Sequence, residues 1–136
     1  MAAASPRARL FPLFFLAFTG DFLLSTMIVA STLVGTYQHV DGWVIGLLGS
    51  AFYMTYAPSA VFLGKVSDRI GRRNSIMVCA AGFLGVSFLF MASARSVVGV
   101  FVGELCVGFL NGFYWPSIEA FISEHSTSEA DHQVNV

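Results

Sequence analysis

Four long apolar stretches alternate with short polar breaks along the chain, roughly Leu10 to Val34, Val44 to Leu63, Ser75 to Ser93, and Val97 to Ile122. Each approaches or exceeds the roughly 20 residues that carry an α-helix across a hydrocarbon core of about 30 Å. Lipid enforces that conformation, because an unpaired backbone N–H or C=O in hydrocarbon costs several kcal/mol. The pattern predicts an all-α, polytopic helical membrane protein. Segment 1–9 precedes the first span, a polar break at 64–74 separates the second and third, and a polar tail occupies 123–136.

Four spans put both termini on one side, and the basic residues say which. With the N-terminus inside, the inner segments hold Arg7, Arg9, Lys65, Arg69, Arg72 and Arg73, and the outer connections hold only Arg95. Lys and Arg collect on the cytoplasmic side of a bilayer. Both ends are therefore expected in the cytoplasm, with the chain multi-pass in the plasma (inner) membrane. The outer connection Gly35 to Trp43 has Tyr37 and Trp43 at headgroup level, and the second, around Ala94 to Ser96, is very short. The apolar run behind Arg7 and Arg9 extends about 25 residues, past the 7–15 of a signal peptide, and reads as an uncleaved span.

Composition agrees: 56% of residues are hydrophobic, 11% are charged and mean hydropathy is +0.74. Soluble domains carry roughly a quarter charged residues. The net charge of −1 hides an uneven distribution and gives no ground for nucleic-acid binding. Cys79 and Cys106 sit in apolar segments without metal-ligand spacing and read as small hydrophobes. His39, His125 and His132 fall in polar segments without a catalytic partner. No nucleophile and base pair, metal spacing or phosphate-binding glycine loop points to an enzyme or to a bound cofactor.

The break between the second and third spans reads Gly64-Lys65-Val66-Ser67-Asp68-Arg69-Ile70-Gly71-Arg72-Arg73 and holds four of the seven basic residues. It resembles the cytoplasmic signature of major facilitator superfamily transporters. Gly64, Asp68, Arg69, Gly71, Arg72 and Arg73 fall where that motif has Gly, Asp, a base, Gly and a basic pair. The segments Tyr114 to Ser117 and Ala120 to Glu124 are similar to family sequence near the inner end of the fourth helix. The resemblance implies the N-terminal portion of a transporter, an incomplete bundle of a type that usually has twelve spans. It also implies secondary transport of a small molecule by alternating access, for which the intramembrane acids described next offer a route to proton coupling. Asp68 would engage a helix N-terminus of the partner half, and Glu124 would meet Arg72 or Arg73 in a cytoplasmic gate.

Ionisable groups at membrane depth mark candidate chemistry. Asp21 shares a helical face with Ser25 and Thr32, while Glu104, Gly108, Asn111, Trp115 and Glu119 form a stripe on the fourth span. Counted from the ends of their apolar stretches, Asp21 lies about 16 Å deep from the inside and Glu104 about 10 Å from the outside. In a core of about 30 Å the two carboxyls would differ in depth by about 4 Å, close enough to share a proton if both helices face one cavity. The resemblance implies such a cavity, lined by the first and fourth helices. Each acid also admits a plainer role, hydrogen bonding to a neighbouring helix. Glu119 can reach the inner interface, and Trp115 can serve as packing.

Gly99 with Gly103 and Gly108 with Gly112 are spaced for close helix approach, and Pro58 and Pro116 are placed to bend their spans. One departure from the family stands out. Drug/proton antiporters often place an Arg four residues before a Gly in the fourth span, where this chain has Glu104 before Gly108. The acid reverses the local field, against drug antiport in its usual form.

The chain is expected to be a fragment whose partners are lipid, a small-molecule substrate, protons and the remainder of the transporter. Two alternatives remain open. One is a four-span exporter that self-assembles, as small multidrug exporters do with an acid in the first span, though they lack the Asp68 to Arg73 loop. The other is a non-transporting subunit that binds a partner through its Gly-rich fourth helix.

Overall fold

The computed structural model describes residues 6–134, all but the connecting residues in four helices: α1 (Pro6–Tyr37), α2 (Gly42–Ile70), α3 (Arg72–Ser93) and α4 (Val97–Val134). Expectations that fall on the first five residues, on the side chains of Arg7, Arg9, His125 and His132, and on Asn135 and Val136 lie outside the described residues. Each helix contains a stretch long and apolar enough to span a membrane, Phe14–Tyr37, Gly42–Ile70, Arg72–Ser93 and Val97–Glu124.

The helices outrun the hydropathy at three places, for one reason. Polar residues end a span without ending a helix, and α-helix persists until a residue opposes it. The expected polar loop at 64–74 is therefore mostly helix. Lys65 to Ile70 complete α2, and the connection shrinks to Gly71 alone, with φ 92° and ψ 132°. Only glycine adopts that conformation readily. The Gly71 N–H still donates to the Ser67 carbonyl at 3.0 Å, and its own carbonyl accepts the Ser75 N–H at 3.1 Å. At the C-terminal end, α4 runs on through the polar segment after Ile122, where no Gly or Pro interrupts it. At the start, α1 already includes Pro6 to Arg9.

The opposite connections are also short. Gln38 to Asp41 reverse the chain with His39 at φ 53°, and Ala94 to Ser96 join α3 to α4. Ser96 caps α4: its hydroxyl accepts the Gly99 N–H at 3.2 Å, satisfying one of the free donors of the first turn. Pro58 and Pro116 lie within continuous helices. Intramembrane hydroxyls turn back on their own helix, as Thr19 does to Phe15 O (2.7 Å), Thr26 to Phe22 O (2.7 Å) and Ser87 to Phe83 O (2.8 Å). Such bonds let Ser and Thr sit in hydrocarbon without an orphaned donor.

Helix α4 is the centre of the bundle. It packs most extensively on α2, then on α3, and least on α1. Buried Ile76, Cys79, Tyr114 and Ile118 fill the half nearer Gly71, with Leu16, Phe83 and Phe121 against them. Leu48, Ala51, Phe52, Val100 and Val107 are buried in the other half. Helix α1 turns Phe11, Phe15, Phe18, Phe22, Val29 and Leu33 outward. In a bilayer these side chains meet lipid or further helices.

Candidate functional site

The seam between α2 and α4 explains one pair of glycines on the fourth helix. A methyl on Gly108 would collide with the Phe52 carbonyl oxygen and the Thr55 hydroxyl, and one on Gly112 with the Ser59 hydroxyl and the Ala60 backbone nitrogen. The absent side chains bring the helix backbones together, and α2 hydroxyls fill the gap. Thr55 donates to Leu105 O at 2.7 Å, Ser59 approaches Gly108 O at 3.5 Å, and the Ser67 and Ser117 hydroxyls meet at 2.7 Å. Gly99 and Gly103 instead face Ser93 and Phe90 of α3.

Glu104 sits above this seam and is 0% exposed. Its carboxyl faces Ser31 of α1, but neither carboxyl oxygen has a hydrogen-bond partner among the described residues. The Ser31 hydroxyl is committed elsewhere, donating to Ile28 O at 2.8 Å. Asn111, two turns along α4, is also buried, Trp115 is half-buried, and Glu119 is exposed. The stripe from Glu104 to Glu119 thus passes from the sealed interior to the surface and does not line one open face.

Asp21 is exposed. It lies near Tyr114, the residue that anchors α1 to α4. Gly20 leaves room for the Tyr114 ring, and the Tyr114 hydroxyl donates to Leu16 O at 2.8 Å. These contacts set the register between the antiparallel α1 and α4: Gly20 is level with Tyr114, and Ser31 with Glu104. Asp21 and Glu104 are consequently separated by ten positions along α1, about 15 Å at the helical rise, and the structure does not bring them together. The expected 4 Å difference fails because the hydropathy edges are not membrane edges. Both helices run past those edges, α1 beginning at Pro6 and α4 extending beyond Ile122.

At the Gly71 end, Arg72 links two acids. Its guanidinium lies 3.4 Å from Asp68 at the end of α2 and 3.1 Å from Glu124 on α4. Lys65, Arg69 and Arg73 are exposed nearby. Gly64 has open space where a side chain would go, whereas Gly71 is required by its backbone angles. An apolar groove of about 580 Å³ lies between α3 and α4, lined by residues such as Gly82, Val86, Leu89, Val102, Cys106 and Phe109. It includes none of the candidate polar residues.

Ser31, Thr55, Ser59, Ser67 and Ser117 escape a search for charges, although all are buried or half-buried at helix contacts. The available signal was a run of small hydroxyls at Thr55, Ser59 and Ser67, whose fourfold spacing puts them on one side of α2.

The model of the Major Facilitator Superfamily matches residues 10–132. The chain is similar to Multidrug resistance protein 1 of Bacillus subtilis (strain 168), at 26% identity over 113 residues, covering 83% of this chain and 28% of that protein. The chain thus spans under a third of the length of the curated relative it matches. No solved structure matches. With a matched segment running from α1 into the end of α4, and the signature residues gathered around Gly71 and Arg72, this chain is a member of the Major Facilitator Superfamily.

Proposed function

We propose that this chain contributes the first four membrane helices of a secondary transporter that moves a small molecule by alternating access, coupled to protons. The observation that carries the reading is the Arg72 bridge between Asp68 and Glu124, placed on the family's motif at a one-residue turn. Two exposed acids sharing one cation across α2, α3 and α4 form contacts that can be exchanged during a cycle, since each is worth little by itself. Asp68 would meet a helix N-terminus of the partner half, closing a gate at the Gly71 end.

Lys65, Arg69, Arg72 and Arg73 cluster at that end while Arg95 lies at the other, which supports a cytoplasmic Gly71 end and cytoplasmic termini in a plasma membrane. Exposed Asp21 in the first span supports completion by further helices, since a charged acid facing hydrocarbon costs a few kcal/mol. The relative's name supports a small organic substrate. Glu104, in place of the Arg usual in drug antiporters, supports a coupling scheme built on an acid.

The test is transport by the complete native assembly in membrane vesicles under an imposed pH gradient. Substrate movement that follows the gradient, and that is lost in Asp68→Asn and Asp21→Asn, is the expected result. Movement indifferent to the gradient would remove proton coupling. An assembly that moves no solute under any gradient would favour the partner-binding subunit.

A further inference from the structure

Three helices meet at one level in the half of the bundle away from Gly71, and the junction is sealed. Ser31 of α1, Ala51 of α2 and Glu104 of α4 are each 0% exposed, with Leu48, Phe52, Val100 and Val107 buried around them. The register is pinned on either side. Gly35 lies against Leu48 and Gly49 against Thr32 between α1 and α2, and Thr55 donates to Leu105 O between α2 and α4.

Donors at this junction are already spent. The Ser31 hydroxyl proton goes to Ile28 O at 2.8 Å and that of Thr55 to Leu105 O at 2.7 Å, which is why both Glu104 oxygens are left without one. The Ser31 oxygen keeps a free lone pair. Among the described residues no cation forms an ion pair with the carboxyl. On α1 the titratable residues within the span are Asp21, about 15 Å along the helix from Ser31, and Tyr37, which is exposed at the far end. Helix α2 offers Tyr53, which is exposed, and Tyr56, stacked on Phe52. His39 and Asp41 lie in the α1–α2 connection, Arg95 is exposed before α4, and Cys79 on α3 points to Leu110 O. A buried carboxylate without donor or counter-charge is strongly unfavourable, whereas a carboxylic acid there has an acceptor waiting.

We propose that Glu104 is a proton-operated latch between α1 and the α2–α4 pair. As the acid it donates to the Ser31 oxygen and holds α1 in its seat. As the carboxylate, its proton having passed to water, it can draw on no donor but the Ser31 hydroxyl, turned away from Ile28 O, and on no counter-charge among the described residues, and α1 loosens at this level to admit water. The latch gives the proton coupling proposed above a residue and a movement, and rests on that reading only for its use in transport. Glu104 is here a positioning residue, acting through the seat of α1.

The test reads helix separation, so a transport defect cannot imitate its result. Spin labels at Val29→Cys on α1 and Val102→Cys on α4, in a Cys79→Ala, Cys106→Ala background, report the α1–α4 distance in lipid nanodiscs by pulsed electron resonance. The expected result is a narrow distribution at low pH that widens and moves outward as pH rises. Glu104→Gln, whose amide can donate to Ser31, should stay narrow at both pH values, and Asp21→Asn should respond like the parent. Ser31→Ala should already be wide at low pH.

Infrared difference spectra of the parent protein guard against a variant that does not fold. A protonated-carboxyl C=O band that disappears over the same pH range, and persists in Asp21→Asn, supports the latch. A distance distribution independent of pH in the parent, or a response abolished by Asp21→Asn, overturns it. If the latch holds while proton-driven transport fails, the error lies in the transport reading.

Discussion

The hydroxyls of Ser67 on α2 and Ser117 on α4 lie 2.7 Å apart and buried, and Ser117 also donates to the Phe113 carbonyl at 2.7 Å. A hydroxyl has one proton, so while Ser117 gives its own to Phe113, the donor between the two hydroxyls is Ser67. The two replacements are therefore not equivalent. Ser117→Ala strands a buried donor and should cost about 1–3 kcal/mol, while Ser67→Ala leaves an acceptor lone pair empty and should cost less. The double variant should be less destabilised than the sum of the two, which a double-mutant cycle on unfolding in bicelles would measure.

Gly108 and Gly112 should tolerate nothing larger than hydrogen. Alanine at either would press on α2 backbone atoms and should cost about 1–3 kcal/mol through overpacking. Gly46→Ala is the matched control, because its side-chain position is open. Thermal stability of the three variants in one detergent decides the matter, and equal losses would contradict the seam described.

Two glycines of the signature should part company. Gly71→Ala forces an L-residue into φ 92° and should destabilise by about 1–3 kcal/mol. Gly64→Ala sits in mid-helix with open space around it and should stabilise this chain by about 0.5–1 kcal/mol through helix propensity. Unfolding midpoints of the purified chain in bicelles would show opposite signs.

Tyr114→Phe should be mild and Tyr114→Ala severe. The phenyl ring would keep its edge contact with Phe83, at 5.4 Å between centroids, and lose the bond to Leu16 O, at about 0.6 kcal/mol for an intramembrane hydrogen bond. Alanine would leave a cavity where the ring is 2% exposed, costing about 3–5 kcal/mol. Protease accessibility of α1 should rise sharply only for the second variant.

The Arg72 bridge should matter for movement more than for stability. Asp68 and Glu124 are 64% and 58% exposed, so Glu124→Gln should cost at most about 1 kcal/mol and less at high salt. Its effect on transport by the complete assembly should be larger than its effect on unfolding. Comparable effects on both would reduce the pair to a structural tie.

Span number and order were legible because a bilayer leaves apolar segments so few options, and the positive-residue pattern marked the Gly71 end as distinct. Helix ends were not legible. Hydropathy reports where side chains leave lipid, but Lys65, Ser67 and Asp68 leave lipid without leaving the helix, and so the loop expected over 64–74 became a single glycine. The acids were found because charge at depth is conspicuous, but their register was hidden. Whether Asp21 meets Glu104 depends on how α1 slides along α4, and that offset is set by neutral features: the notch at Gly20 that admits the Tyr114 ring, and the Tyr114 bond to Leu16 O. Such contacts carry no hydropathy signal.

A one-residue reversal leaves no slack. With only Gly71 between them, the end of α2 and the start of α3 cannot separate along the membrane normal, and an axial shift of either helix must be shared. Through Arg72 the same joint is tied to α4 by Glu124, so three of the four helices are geared together at one end. Helix α1 stands outside that joint, linked to α2 by Gln38 to Asp41 at the opposite end and held to α4 by the Tyr114 bond to Leu16 O.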